Sequence, residues 1–171
     1  MKGLNSGSMR ASTHYPFPCT QMIWLAHSSV ATIVEKDGLF LMVEETDDGR
    51  TVFNQPAGHL EENESLFEAA LRETLEETGW QVELTDFVGL YHYPAPNGVT
   101  YIRHCFVARP LQHNPQRKLD DGIIAAHWLS ADTILASEFQ ARSPIVGRVL
   151  RDYLSGIRYP LSLITHLRPA S

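Results

Sequence analysis

The stretch Gly58-His-Leu-Glu-Glu-Asn-Glu64-Ser-Leu-Phe-Glu-Ala-Ala-Leu-Arg72-Glu73-Thr-Leu-Glu76-Glu77-Thr-Gly79-Trp80 decides how this chain is read. A glycine-led loop runs into a helix that crowds Glu73, Glu76 and Glu77 beside Arg72. Spacings of three and four put the three carboxylates on neighbouring turns of one helical face. Like charges that close repel, so the bare helix is destabilised there. A hard divalent cation reverses that penalty, because oxygen-rich carboxylate clusters suit Mg²⁺ or Mn²⁺. The alternative is a solvated surface helix, with Arg72 paired to Glu68 or Glu76. The crowded carboxylates point to metal-assisted chemistry on phosphates.

The helix is expected to begin near Ser65, whose hydroxyl can cap while Glu68 answers as the capping-box partner. Gly79 fits the left-handed position that closes a helix, and Leu71 and Leu75 are expected to face inward. Upstream, residues 55–59 (Gln-Pro-Ala-Gly-His) read as the loop entering the helix. Residues 28–34 and 39–43 read as paired strands across an Asp37-Gly38 turn, with a further turn at residues 47–49 before a strand over 51–54. Downstream, residues 82–93 and 101–108 carry strand-like residues either side of a turn at 94–98, and residues 127–129 end another strand. A last helix is capped by Ser143, starts on Pro144 and stops at Gly156. Its apolar stripe is Ile145, Val146, Val149, Leu150, Tyr153 and Leu154, which reads as core. Strands, a helix, more strands and a terminal helix predict an α/β fold, a mixed β-sheet between helices.

The chain has 171 residues and 43% hydrophobic content, enough for one well-buried domain. A net charge of −6 argues against duplex nucleic acid as a partner. It agrees with a cation bridging an acidic protein to an acidic substrate. Cys19 and Cys105 make no metal-ligand cluster and read as idle thiols in a reducing compartment. No apolar run reaches the length of a membrane span, so a cytoplasmic location without membrane contact is expected. Residues 1–8, with Gly7-Ser8 ahead of Met9, have the look of a cloning remnant. Residues 1–21 read as a flexible lead-in and residues 22–171 as the domain.

The quoted stretch resembles the Nudix box, Gly-x5-Glu-x7-Arg-Glu-U-x-Glu-Glu-x-Gly-U, with U apolar. Gly58, Glu64, Arg72, Glu73, Glu76, Glu77 and Gly79 occupy all seven fixed positions. At roughly one chance match in fifteen per position, the joint chance is on the order of 10⁻⁸ per start point. One departure is Thr74, where an aliphatic residue is expected. The likeness extends from about residue 26 to 164. Residues 53–61, 142–146 and 158–161 resemble the NudJ-type phosphatases of the family in particular.

The resemblance implies an α/β/α sandwich. It also implies a Mg²⁺-dependent enzyme (Mn²⁺ a substitute) that cleaves phosphoanhydride bonds of nucleoside tri- and diphosphates, and of thiamine-pathway pyrophosphates, releasing orthophosphate. By the same resemblance Glu73, Glu76 and Glu77 would hold the cation with the Gly58 carbonyl, and Glu64 and Arg72 would brace the loop. Asp120 and Asp121, ahead of the last strand, are candidates for the proton acceptor; a plain turn there is the competing reading. Tyr91, His92, Tyr93, Tyr101, Arg103, His104 and the loop residue His59 are candidates for substrate contact. Alternation along a strand sends Tyr101 and Arg103 to one face and Ile102 and His104 to the other. Competing readings are another Nudix specificity, whether oxidised nucleotide, sugar nucleotide or RNA 5′ end, and a nucleotide-sensing domain without turnover. All the box glutamates are present, which speaks against the last.

Overall fold

The computed structural model describes residues 24–136 and 138–167. The expected lead-in over residues 1–21 and Cys19 lie outside the described residues. Seven strands form one mixed sheet: β1 (His27–Lys36), β2 (Leu39–Asp47), β3 (Arg50–Asn54), β4 (Ala57–His59), β5 (Trp80–Pro94), β6 (Thr100–His113) and β7 (Ile123–Ser130). The order β3-β2-β1-β6-β5 forms the main path, with β4 paired to β1 and β7 to β2. Strands β1 and β6 run parallel and the remaining pairs antiparallel.

Helices α1 (Leu66–Thr78) and α3 (Pro144–Leu154) lie on opposite faces of β1, and the alternation of β1 shows why. Val30 packs with Ala69 and Ala70 of α1 and with Phe106, whereas Ala31 and Ile33 pack with Val146, Val149 and Leu150 of α3. Successive strand residues face opposite ways, so one strand is buried twice. Each fully buried aliphatic side chain contributes about 1.5–3 kcal/mol relative to exposure. A short helix, α2 (Ala131–Leu135), capped by the Ser130 hydroxyl, follows β7.

The helix signals act as their chemistry predicts. Ser65 and Glu68 form the reciprocal capping box, and Gly79 closes α1 at φ 71°. Asp37-Gly38 and Asp48-Gly49 turn with positive φ. Ser143 occupies the cap position of α3 without a side-chain hydrogen bond, and Gly156 follows its last turn at φ 87°.

Several expectations are corrected. Leu71 is 38% exposed and Leu75 half-buried; the inward face of α1 is Ala69, Ala70, Glu73, Thr74, Glu77 and Thr78. Past its first turn, where Leu66 packs inward, the helix turns Glu73 and Glu77 rather than Leu71 toward the body of the protein. Leu154 is exposed at 50% and leaves the α3 stripe. The loop over residues 55–59 contains strand β4, which pairs Ala57, Gly58 and His59 with Ala31, Val30 and Ser29. Strand β2 runs on past Val43 to Asp47, because Glu44 pairs with His127 and Glu45 with Arg142. No described helix is long and apolar enough to cross a membrane. Cys105 is buried, and burial pushes its thiol up to about 12.

Candidate active site

Strand β4 and helix α1 bring the loop and the carboxylates together. Gly58, fixed opposite Val30, lies so close to Glu73 that a Cβ on it would stand 2.1 Å from the Glu73 carboxyl carbon. Any side chain at position 58 would have to displace the Glu73 carboxylate. Glu77, one turn further on, accepts a 2.8 Å hydrogen bond from the Ala57 N–H. Arg72 binds Glu64 through two nitrogens at 3.0 and 2.7 Å, donates to the His59 carbonyl at 3.1 Å, and reaches Glu73 at 2.8 Å and Glu76 at 3.1 Å. The Arg72 hydrogen bond holds the Glu64 carboxyl below its usual range. Arg72 and Glu64 thus pin the loop to the helix, and Arg72 offsets part of the repulsion among the glutamates.

That offset does not reach the inner carboxylates fully. Burial raises the Glu73 carboxyl above its usual range despite Arg72, with Glu76 and Asp120 adding to the rise. Burial pushes Glu77 up to about 8, reinforced by Glu73, Glu45 and Asp120. Thr74, in place of the expected aliphatic residue, is wholly buried. Its hydroxyl meets that of Thr32 at 2.7 Å and donates to the Ala70 carbonyl at 2.7 Å, so the polar side chain is satisfied inside the helix–sheet contact. Among the described residues no three histidine, cysteine or acidic side chains converge as a ready-made metal centre; Arg72 takes Glu73 and Glu76 instead.

Replacing Gly58 by alanine tests this packing directly. The overlap with Glu73 is expected to cost about 1–3 kcal/mol of stability and to lower kcat by pushing the carboxylate aside. Thermal unfolding and steady-state kinetics measure both. An alanine variant unchanged in both would show that Glu73 moves freely and that the close approach is incidental.

A second wall faces the carboxylates. Arg103 of β6 donates to the Asn54 side chain at 3.3 Å, and its buried Nε has no partner. Glu45 binds Arg142 at 2.5 Å, and its other carboxyl oxygen, also buried, has none. His59 sits at the rim with His27, the ring nitrogens 3.4 Å apart, and the Tyr101 ring lies 6.2 Å from the His59 ring. Burial, followed by His27, Arg103 and Arg142, holds the His59 imidazole below its usual range. Carboxylates from α1 and β2 and cationic groups from β6 and the approach to α3 therefore share one site.

The other candidates separate cleanly. Tyr101 and Arg103 share the face bearing Ser29, as alternation requires, whereas His104 turns away to the Ser29 carbonyl at 3.2 Å. The Tyr91 hydroxyl donates to Asp152 of α3 at 2.9 Å and braces that helix. Asp120 is tied to α1 through a 3.2 Å hydrogen bond from its N–H to the Glu76 carbonyl, and its charge reaches Glu73 and Glu77. Asp121 pairs with Lys118 in solvent. Glu45, Asn54 and Arg142 were not picked out as site residues from the sequence. The one available signal was Glu45 standing inward in the alternation that follows the apolar run of β2, together with Arg142 in one of the segments resembling the NudJ type.

Comparisons with known proteins agree with this geometry. Residues 25–149 match the model of the NUDIX domain. The chain is 42% identical over 138 residues to "Phosphatase NudJ" of Escherichia coli (strain K12), spanning 81% of this chain and 90% of that protein. It superposes on a NUDIX hydrolase from Nitrosomonas europaea with a TM-score of 0.81 and 41% identity, covering 84% of this chain and 98% of the other. A MutT protein from Methanosarcina mazei Go1, at 21% identity and a TM-score of 0.64, covers 80% of this chain and 99% of its own and shares the fold. With the box, the sheet and the flanking helices all in place, the chain belongs to the Nudix family and is a hydrolase of phosphoanhydride bonds.

Proposed function

We propose that this enzyme is a Mg²⁺-dependent phosphatase of nucleoside tri- and diphosphates, with thiamine-pathway pyrophosphates as further substrates, and that it releases orthophosphate. The observation that carries this reading is the buried pair of carboxylates, Glu73 packed against Gly58 and Glu77 bonded to the Ala57 N–H, both desolvated despite Arg72 nearby. An all-oxygen set of this kind, desolvated and partly uncompensated, fits a hard divalent cation. Glu73, Glu76 and Glu77 would hold it with the Gly58 carbonyl. When bound, it supplies charge neutralisation on the phosphates and a more acidic water. The chain itself supplies position: Arg72 and Glu64 fix the loop, and Arg103, His59 and Tyr101 face the substrate. The 42% identity to a protein named as a phosphatase supports orthophosphate as the product.

Asp120 is the better placed of the two aspartates to accept the proton from the attacking water, since its charge reaches Glu73 and Glu77 while Asp121 faces solvent. Phosphorus NMR tests both proposals in one series. ATP, ADP and thiamine diphosphate are incubated with Mg²⁺ and either wild type, Asp120→Asn or Asp121→Asn. Wild type is expected to yield orthophosphate; pyrophosphate from ATP would assign the enzyme to another Nudix specificity. Asp120→Asn is expected to slow turnover by at least about tenfold, within the usual range for acid–base catalysis, while Asp121→Asn stays near wild type. Near-normal kcat in both variants removes the loop base from the mechanism.

A further inference from the structure

The wall opposite the box helix brings two guanidiniums together and leaves one buried donor without a hydrogen-bond partner. Arg103 has one side-chain partner, the neutral Asn54, and its Nε is buried without any. Arg142 is held by Glu45 at 2.5 Å and approaches Asp47 at 3.7 Å, the latter 46% exposed and hence weakly felt. Buried Glu45 thus faces both guanidiniums, buried Glu77 also acts on Arg103, and one Glu45 oxygen has no hydrogen-bond partner among the described residues. A buried, unsatisfied donor costs about 1–3 kcal/mol, and a wall built this way is stabilised by whatever anion completes it. Arg103 and Arg142 both act on His59, and Glu45 acts on Glu77, so wall and box lie within electrostatic reach of each other.

We propose that Arg103 and Arg142 form a two-arginine seat for the terminal phosphate of the substrate, with Asn54 and Glu45 as the residues that position them. This rests on the phosphatase reading and sharpens it. A terminal phosphate carries one more ionisable oxygen than an internal one bridged on both sides, and planar guanidiniums grip paired oxygens bidentately. Arg103 is partly buried with its Nε fully covered, and Arg142 is exposed at the rim, so the seat closes around an end rather than along a chain. A phosphate chain anchored by its end at the seat presents its terminal phosphorus to the attacking water. The water oxygen bonds to that phosphorus, the bond to the bridging oxygen breaks, the nucleoside diphosphate leaves with that oxygen, and one proton is released. Orthophosphate, not pyrophosphate, is the product of that placement.

The test compares a ligand with a free terminal phosphate and one without. Binding of adenosine 5′-(β,γ-imido)triphosphate and of diadenosine tetraphosphate, in which both ends of the phosphate chain are capped and no phosphate is terminal, is measured by calorimetry with Mg²⁺ for wild type, Arg142→Gln and Arg142→Lys. Arg142→Gln is expected to weaken the imidotriphosphate about tenfold or more, the effect of losing one charge-assisted contact, with little change for the dinucleotide; Arg142→Lys falls between. The Arg142 backbone N–H keeps its bond to the Phe53 carbonyl in either variant, so the fold is retained. Equal weakening of both ligands, or of neither, overturns the seat. A wild type that turns over no nucleotide would defeat the phosphatase reading, while the binding comparison would still decide the seat.

Discussion

Glu77→Gln is expected to fold and to lose on the order of 100-fold or more in kcat, the size of a lost electrostatic contribution in a preorganised site. The substitution changes little else. Glu77 Oε2 accepts the Ala57 N–H at 2.8 Å, and a glutamine carbonyl can accept the same bond, so strand β4 and Gly58 stay where they are. What disappears is one negative charge at the most buried point of the carboxylate cluster. Under the proposed function that charge holds the cation, and its loss appears in kcat more than in KM, because the contact acts most strongly as charge develops on the reacting phosphate. Exposed Glu62, in the same loop, serves as the control: Glu62→Gln should leave both constants near wild type. Far-UV circular dichroism and the unfolding temperature establish that the variant is folded. A folded Glu77→Gln with wild-type kcat would refute the role assigned to Glu77.

How much of this site was legible in the sequence depends on how local each part is. The capping box of Ser65 and Glu68 and the left-handed Gly79 sit within one helix, so residue type and spacing determine them, whereas the Arg72–Glu64 brace came from the family resemblance. The inward face of α1 was misread because apolar residues are expected to be the buried ones. Here Leu71 lies outward and Glu73, Thr74 and Glu77 lie inward, since that face lines a site rather than a core. Strand β4 was missed because three residues with no β-branched side chain carry no strand signal. The wall opposite was beyond reach for another reason. Glu45 and Arg142 are 97 residues apart, and Asn54 and Arg103 49 apart, so their partnership exists only once the sheet has formed. Rules of local pattern carry no information about such pairs.

The carboxylate that holds the cation under the proposed function should weaken the metal-free protein, and by an amount that depends on pH. Glu77 titrates near 8 in the folded protein against an ordinary value of 4.5. Between those values the folded chain holds one proton that the unfolded chain has lost, so folding favours acid. Stability from this group is fully present below about pH 4.5 and is withdrawn as pH rises through about 8. The full swing is on the order of 5 kcal/mol, since each tenfold gain in proton affinity is worth about 1.4 kcal/mol. Burial raises Glu73 as well and adds in the same direction. In EDTA, wild type is therefore expected to lose stability steadily between pH 5 and 8 by urea titration, and Glu77→Gln, with no charge to bury, to lose much less. At pH 8 the variant should be the more stable of the two by at least about 2 kcal/mol. Millimolar Mg²⁺ should then invert the order, because a cation that binds only the folded chain stabilises it by mass action and the variant has lost a ligand. Parallel pH profiles for the two proteins in EDTA would mean that the cluster is compensated without a cation, and the metal assignment would fall with that result.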